Sequence, residues 1–155
     1  MKTSILTVVA LTICLIASAQ SNNDYLELAR DAIKVEKKAA ITEAMQLTEA
    51  ESQPFWSLYN EYESKLYPIQ NKRIDLIKTY AERYEMLTND KADELWTNYM
   101  SYQKELLTVK STYYKKFKKI LSPGKAVRFM QTENKIETLI NAQLALEIPL
   151  VETVR

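Results

Sequence analysis

The chain has no histidine, one cysteine (Cys14), one glycine (Gly124) and four prolines among its 155 residues. Without histidine, and with its only thiol near the N-terminus, it lacks the usual zinc and copper ligands. It also lacks the Ser-His and Cys-His nucleophile systems and the commonest general base. A lone glycine leaves no glycine-rich loop to cradle a phosphate, so neither ATP nor a dinucleotide is expected to bind in the familiar way. These absences predict no enzyme, no catalytic residue, no cofactor and no metal. Charge of one sign is scarce too: 21 basic residues face 20 acidic ones. Phosphate binding normally needs a basic excess, so nucleic acid is not an expected partner.

Met1 and Lys2 precede an apolar run from Ile5 to Ile16. The run is too short to span a membrane, and Ala17-Ser18-Ala19 after it supplies the small residues a signal peptidase takes. Residues 1–19 read as a cleaved signal peptide and 20–155 as a single all-helical domain. The protein is expected to be exported, without a stable membrane anchor. Lipid attachment at Cys14 is the alternative, although Ile13 before it is larger than the small residue such attachment wants. Cleavage leaves 20 basic and 20 acidic side chains in a domain without cysteine. A domain of this size can bury enough surface to fold without disulfides.

What the chain does have is a repeat. Leu47, Thr48, Trp56, Tyr59, Tyr62 and Leu66 recur 40 residues later as Leu87, Thr88, Trp96, Tyr99, Tyr102 and Leu106. Each copy opens on a threonine able to cap a helix, and Glu51 completes a Thr-x-x-Glu capping box in the first. Apolar residues recur at helical spacing throughout, which predicts an all-α fold of four helices with no strands. The first runs from about Asp24 to Met45. In the second, after Thr48, residues from Phe55 to Leu87 alternate spacings of three and four, interrupted at Arg73 and Arg83; this is the period of helices wrapped on one another. Pro68 predicts a bend there. Pro54 falls beyond the first turn if Thr48 is the cap, so either Ser52 is the cap or the first turn is distorted. The third helix follows Thr88. A fourth starts at the Ser122 cap with Pro123 as its first residue, and ends by Pro149. Two helices this long in so small a domain predict an elongated four-helix bundle that pairs with a second copy of itself.

Several residues invite a functional reading. Glu133 and Glu137 lie one turn apart, but are better read as a partly buried Glu133 satisfied by a lysine or tyrosine from another helix and a solvated Glu137. The lysines of the 110–119 segment surround Tyr113 and Phe117 in the manner of a solvated face with snorkelling stems. Tyr59, Tyr62, Tyr99 and Tyr102 belong to the seam, and Trp56 and Trp96 are expected in the core by repeat symmetry. Tyr67 and Tyr84, near Arg73 and Arg83, are the candidates for an exposed amphiphilic groove, since aromatic and arginine side chains suit adaptable contact surfaces.

Leu47-Thr48-Glu49-Ala50-Glu51 and Leu87-Thr88-Asn89-Asp90-Lys91, each opening a long helix in an exported chain, resemble the LTxxQ motifs of the Spy/CpxP family of periplasmic proteins. Glu51 and Lys91 replace the motif's glutamine. The segment Phe129–Leu150, ending in Ile-Pro-Leu, is also similar to exported proteins of Bacteroidetes-type bacteria. The Spy/CpxP resemblance implies bent helical hairpins in a cradle-like dimer. It further implies an ATP-independent chaperone for non-native or envelope proteins, with Tyr67, Arg73, Arg83 and Tyr84 as client-binding residues. The alternative it implies is a regulatory partner of one envelope-stress sensor. Related proteins sense metals, a role that the absence of histidine disfavours here.

Overall fold

The computed structural model describes residues 22–152, with side chains from Ile33 onward. The expected signal peptide and Cys14 lie outside them. Among the described residues the chain is all-α, with four helices and no strand: α1 (Asn22–Met45), α2 (Glu49–Arg83), α3 (Asn89–Ile120) and α4 (Pro123–Glu147), plus a short 3₁₀ turn at Tyr84–Met86. They fall into two compact units. One joins α1, as far as Gln46, with Val127–Pro149; the other comprises Leu47–Ala126 and the segment starting at Leu150.

The caps are built from side chains within three residues of the helix starts. Thr48 Oγ1 accepts from the Glu51 N–H, and Glu51 Oε2 accepts from the Thr48 N–H at 2.9 Å, so both halves of the capping box form. That places Pro54 inside α2 and leaves Ser52 in the first turn instead of at the cap. Pro54 and Pro68 each remove one donor, toward the carbonyls of Ala50 and Ser64, and α2 continues through both. Thr88 accepts from the Lys91 N–H. Lys91 cannot close the box and instead pairs with Glu94 at 2.7 Å. Ser122 Oγ accepts from the Lys125 N–H, with Pro123 as the first residue of α4, where a missing donor does no harm. After α1 the chain turns at Gln46 with φ 44, a left-handed position usually given to glycine.

Glu51 also accepts from Lys125 Nζ in the first turn of α4. The Lys125 hydrogen bond, followed by the Thr48 backbone N–H, lowers its pKa from 4.5 to about 2. Glu61 is lowered as well, chiefly by Lys116. A carboxylate whose pKa falls on folding stabilises the fold above its unfolded pKa, and that contribution is lost as pH drops from about 4.5 to about 2. Glu51→Gln is therefore expected to be less stable than wild type at neutral pH, with the gap closing across that acid range. Urea titrations at a series of pH values measure it; a gap independent of pH would show that the charge contributes nothing.

In the second unit α2 and α3 run antiparallel. Phe55, Tyr59, Tyr62, Leu66 and Ile69 are buried on one helix, and Tyr102, Leu106, Tyr113 and Phe117 on the other. The alternation of four and three keeps these residues facing the partner helix. Ring centroids of Phe55 and Phe117 lie 5.4 Å apart, and those of Tyr62 and Tyr113 5.3 Å. Two ion pairs cross the hairpin in the same register, Glu61–Lys116 and Lys72–Glu105, both at 2.7 Å. Exposed pairs of this kind are screened by water and contribute little, so they select register more than they hold the fold. In the other unit Ile41, Met45 and Phe129 are buried, and Lys37 is the lysine that meets Glu133, at 2.9 Å.

The two copies of the repeat share caps and seam spacing but not burial. Trp56 is half-buried, its ring edge-on to Phe55 and Tyr59. Trp96 is 63% exposed and Tyr99 39%, so neither belongs to the core expected for them. Antiparallel pairing puts the two caps at opposite ends of the hairpin, and the ends are finished differently. At the Thr48 end the chain turns into α4, burying Leu121 and Ala126 and bringing Lys125 to Glu51. At the Thr88 end the short connection through Met86 is met by the tail at Leu150, and Trp96 and Tyr99 stay exposed. Half-buried Arg73 stands there where the other copy has the buried aromatic Tyr113.

Candidate functional site

The four candidate residues all lie on or just beyond α2, but they do not form one cluster. Tyr67 and Tyr84 are 17 residues apart, about 26 Å along a helix, and at about 100° per residue Tyr67 points roughly a third of a turn away from Arg73 and Tyr84. Tyr67 is exposed. Arg73 interrupts the seam, half-buried. Arg83, in the last turn of α2, lines an open depression of about 310 Å³ with Met86, Thr88, Asp90, Lys91 and Glu94. This hollow is mostly polar and has ionic walls of both signs, a place for a mixed-charge surface and not for a buried substrate.

Tyr84 is already engaged within its own chain. Its hydroxyl donates to the Leu150 carbonyl at 3.2 Å, and its ring meets Tyr80 edge-on at 5.6 Å. Burial, then the neighbouring Glu152, raises its pKa above the ordinary phenol value. The tail after Pro149 thus returns to the end of α2, a contact spanning 66 residues that no local pattern announces.

The lysine-rich end of α3 has the expected division of labour. Tyr113 and Phe117 are buried, while Lys115, Lys118 and Lys119 are exposed. Lys116 Nζ sits 4.5 Å from the Tyr113 ring centroid and Lys118 Nζ 4.7 Å from that of Tyr114, ammonium groups held over aromatic faces. Tyr113 donates to Glu61 Oε1 at 2.9 Å, joining Lys116 on the same carboxylate. Burial, then this hydrogen bond, raises the Tyr113 pKa. Of these cations Lys116 is tied across the hairpin to Glu61, while Lys118 meets a ring of its own helix.

Sequence reasoning missed a stripe on α3 itself. Met100 is 52% exposed and Leu107 68%, and with Trp96 they sit one residue beyond the seam positions Leu95, Tyr99 and Leu106. The signal was present: Met100 and Leu107 are apolar residues that the seam does not use. Tyr67, Met86 and Tyr99 extend the exposed apolar surface on the same unit. Scattered exposed apolar residues are ordinary, whereas several on successive turns mark a contact surface. Among the described residues no acidic or cysteine group is arranged to hold a metal ion, and no helix is long and apolar enough to cross a membrane.

The class these features define is an all-α protein of long capped helices. The chain matches no protein-family model, no curated protein and no solved structure.

Proposed function

We propose that the chain is an ATP-independent, holdase-type chaperone of the periplasm that shields non-native or envelope proteins, as its resemblance to Spy/CpxP proteins implies. The observation that supports this reading is the amphiphilic surface of the α2–α3 unit. Aromatic and apolar side chains such as Tyr67, Met86 and Tyr99 are exposed on it, and Met86 shares a charged depression with Arg83. Weak contacts of this kind hold many sequences loosely, and release needs no nucleotide when no contact is strong.

Light scattering from a reduced, aggregating client tests it. The purified protein at stoichiometric amounts suppresses the signal, and Tyr67→Ser combined with Arg83→Ser weakens suppression severalfold while helicity and melting temperature stay unchanged, both sites being exposed. No suppression by the wild-type protein rejects the chaperone reading. Cross-linking to envelope extract supplies the second measurement: many partners fit a holdase, one tight partner fits a regulator.

A further inference from the structure

Helix α4 stops at Glu147, and Pro149, which has no N–H to offer the Ala145 carbonyl, prevents it from resuming. Residues 149–152 follow as chain without helix or strand. This segment keeps different company from the helix it leaves: most of α4 groups with α1, whereas Leu150 onward groups with α2 and α3. It is held there through its backbone. The Tyr84 hydroxyl donates to the Leu150 carbonyl, while Leu150 is 89% exposed and Val151 47%. Glu152, two residues on, brings a second acceptor to the same phenol. Tyr80, one turn earlier on α2, stands edge-on to the Tyr84 ring and supports it.

A hydroxyl that engages a carbonyl and leaves the neighbouring side chains in water reads chain conformation more than sequence. In a folded protein the buried backbone carbonyls are nearly all paired within helices and sheets. An extended, non-native chain offers them to a new donor at every residue. Tyr84 is such a donor, at the end of the α2–α3 hairpin where Met86 is 84% exposed.

We propose that Tyr84, backed by Tyr80, is a docking point for the backbone of extended, non-native chain, and that the segment after Pro149 is its built-in competitor, displaced when a client arrives. This rests on the chaperone reading, and adds where a client's backbone is held and what occupies that place in its absence. The segment suits the part. Being in the same chain it has a high effective concentration at Tyr84, yet its grip is a hydrogen bond with little side chain buried. A client that adds apolar contacts displaces it, and exposed Met86, two residues beyond Tyr84, is within reach to supply one.

Nuclear magnetic resonance of the isotope-labelled chain, with reduced, carboxymethylated α-lactalbumin added as an unfolded client, tests it. The amide signals of Leu150, Val151 and Glu152 move to the positions of a free peptide as client is added, and those of Tyr80 and Tyr84 shift with them. Ending the chain at Pro149 cuts no helix, keeps helicity by circular dichroism, and tightens client binding about two- to fivefold, because the competitor is gone. Tyr84→Phe made in that shortened chain keeps the ring, deletes the donor and weakens client binding by about the same factor. Client-induced shifts elsewhere on α2 and α3, with the signals of Leu150–Glu152 unmoved, overturn the proposal and leave the chaperone reading standing. A shortened chain that binds client no more tightly than the whole one does the same. No client-induced shift anywhere overturns both.

Discussion

Phe117→Ala is expected to lower the stability of the protein by about 3–5 kcal/mol, the usual range for deleting a buried phenylalanine ring. Phe117 is fully buried, 5.4 Å from the Phe55 ring and 6.4 Å, edge-on, from that of Tyr62. Phe55 continues the cluster to Tyr59 at 6.2 Å, so the missing ring leaves a gap walled by rigid aromatics that cannot collapse into it. A loss of that size is a large share of the 5–15 kcal/mol or so that holds an ordinary domain together, and lowers the melting temperature by about 10–15 °C. The repeat supplies the control. Ile77 occupies the equivalent position in the other copy and is only half-buried, so Ile77→Ala is expected to cost less than half as much. Urea melts of the two variants decide it. Equal losses would mean that the copies are energetically equivalent and that the exposed end of the hairpin is covered in solution.

Lys37→Met should be nearly as damaging, for an electrostatic reason. Lys37 and Glu133 meet at 2.9 Å with side chains only 11% and 4% exposed, so both charges are largely removed from water. Taking away the cation leaves a carboxylate in a poorly solvated site, at a cost of about 3–5 kcal/mol. The pair as a whole is worth much less, because its Coulomb attraction is set against two desolvation penalties. Lys37→Met combined with Glu133→Leu is accordingly expected to recover most of the lost stability. A double-mutant cycle read by urea denaturation gives a coupling energy of several kcal/mol on this account. Additive losses would show that water reaches Glu133 freely.

Much of this protein is written within four or five residues of any point. The Thr48, Thr88 and Ser122 caps, the helix that follows each, and the seam from Phe55 to Ile69 all follow from local hydrogen-bonding chemistry and periodicity, and the all-α class follows with them. Even the burial of Glu133 against a lysine could be inferred from its place beside an apolar stripe. Pro54 was the local exception: proline is a helix breaker only when no surrounding contacts compensate, and the capping box with the buried residues that follow carries α2 through it.

The candidate surface was less legible. Tyr67, Arg73, Arg83 and Tyr84 look like neighbours along the chain, yet helix geometry turns Tyr67 and Arg83 away from the face that Arg73 and Tyr84 share, and a tail 66 residues away engages Tyr84. Trp56 and Trp96 stand at equivalent places in a duplicated pattern, and the pattern alone treats them alike. Their difference comes from the antiparallel hairpin, which has two ends, only one of them closed by the turn into α4 through Leu121 and Ala126. The sequence by itself determined where helices begin and which stripe each turns inward, because capping and periodicity act over a single turn. Only the tertiary structure decided which copy of that stripe is covered and which is left exposed, because burial depends on residues brought together from distant parts of the chain.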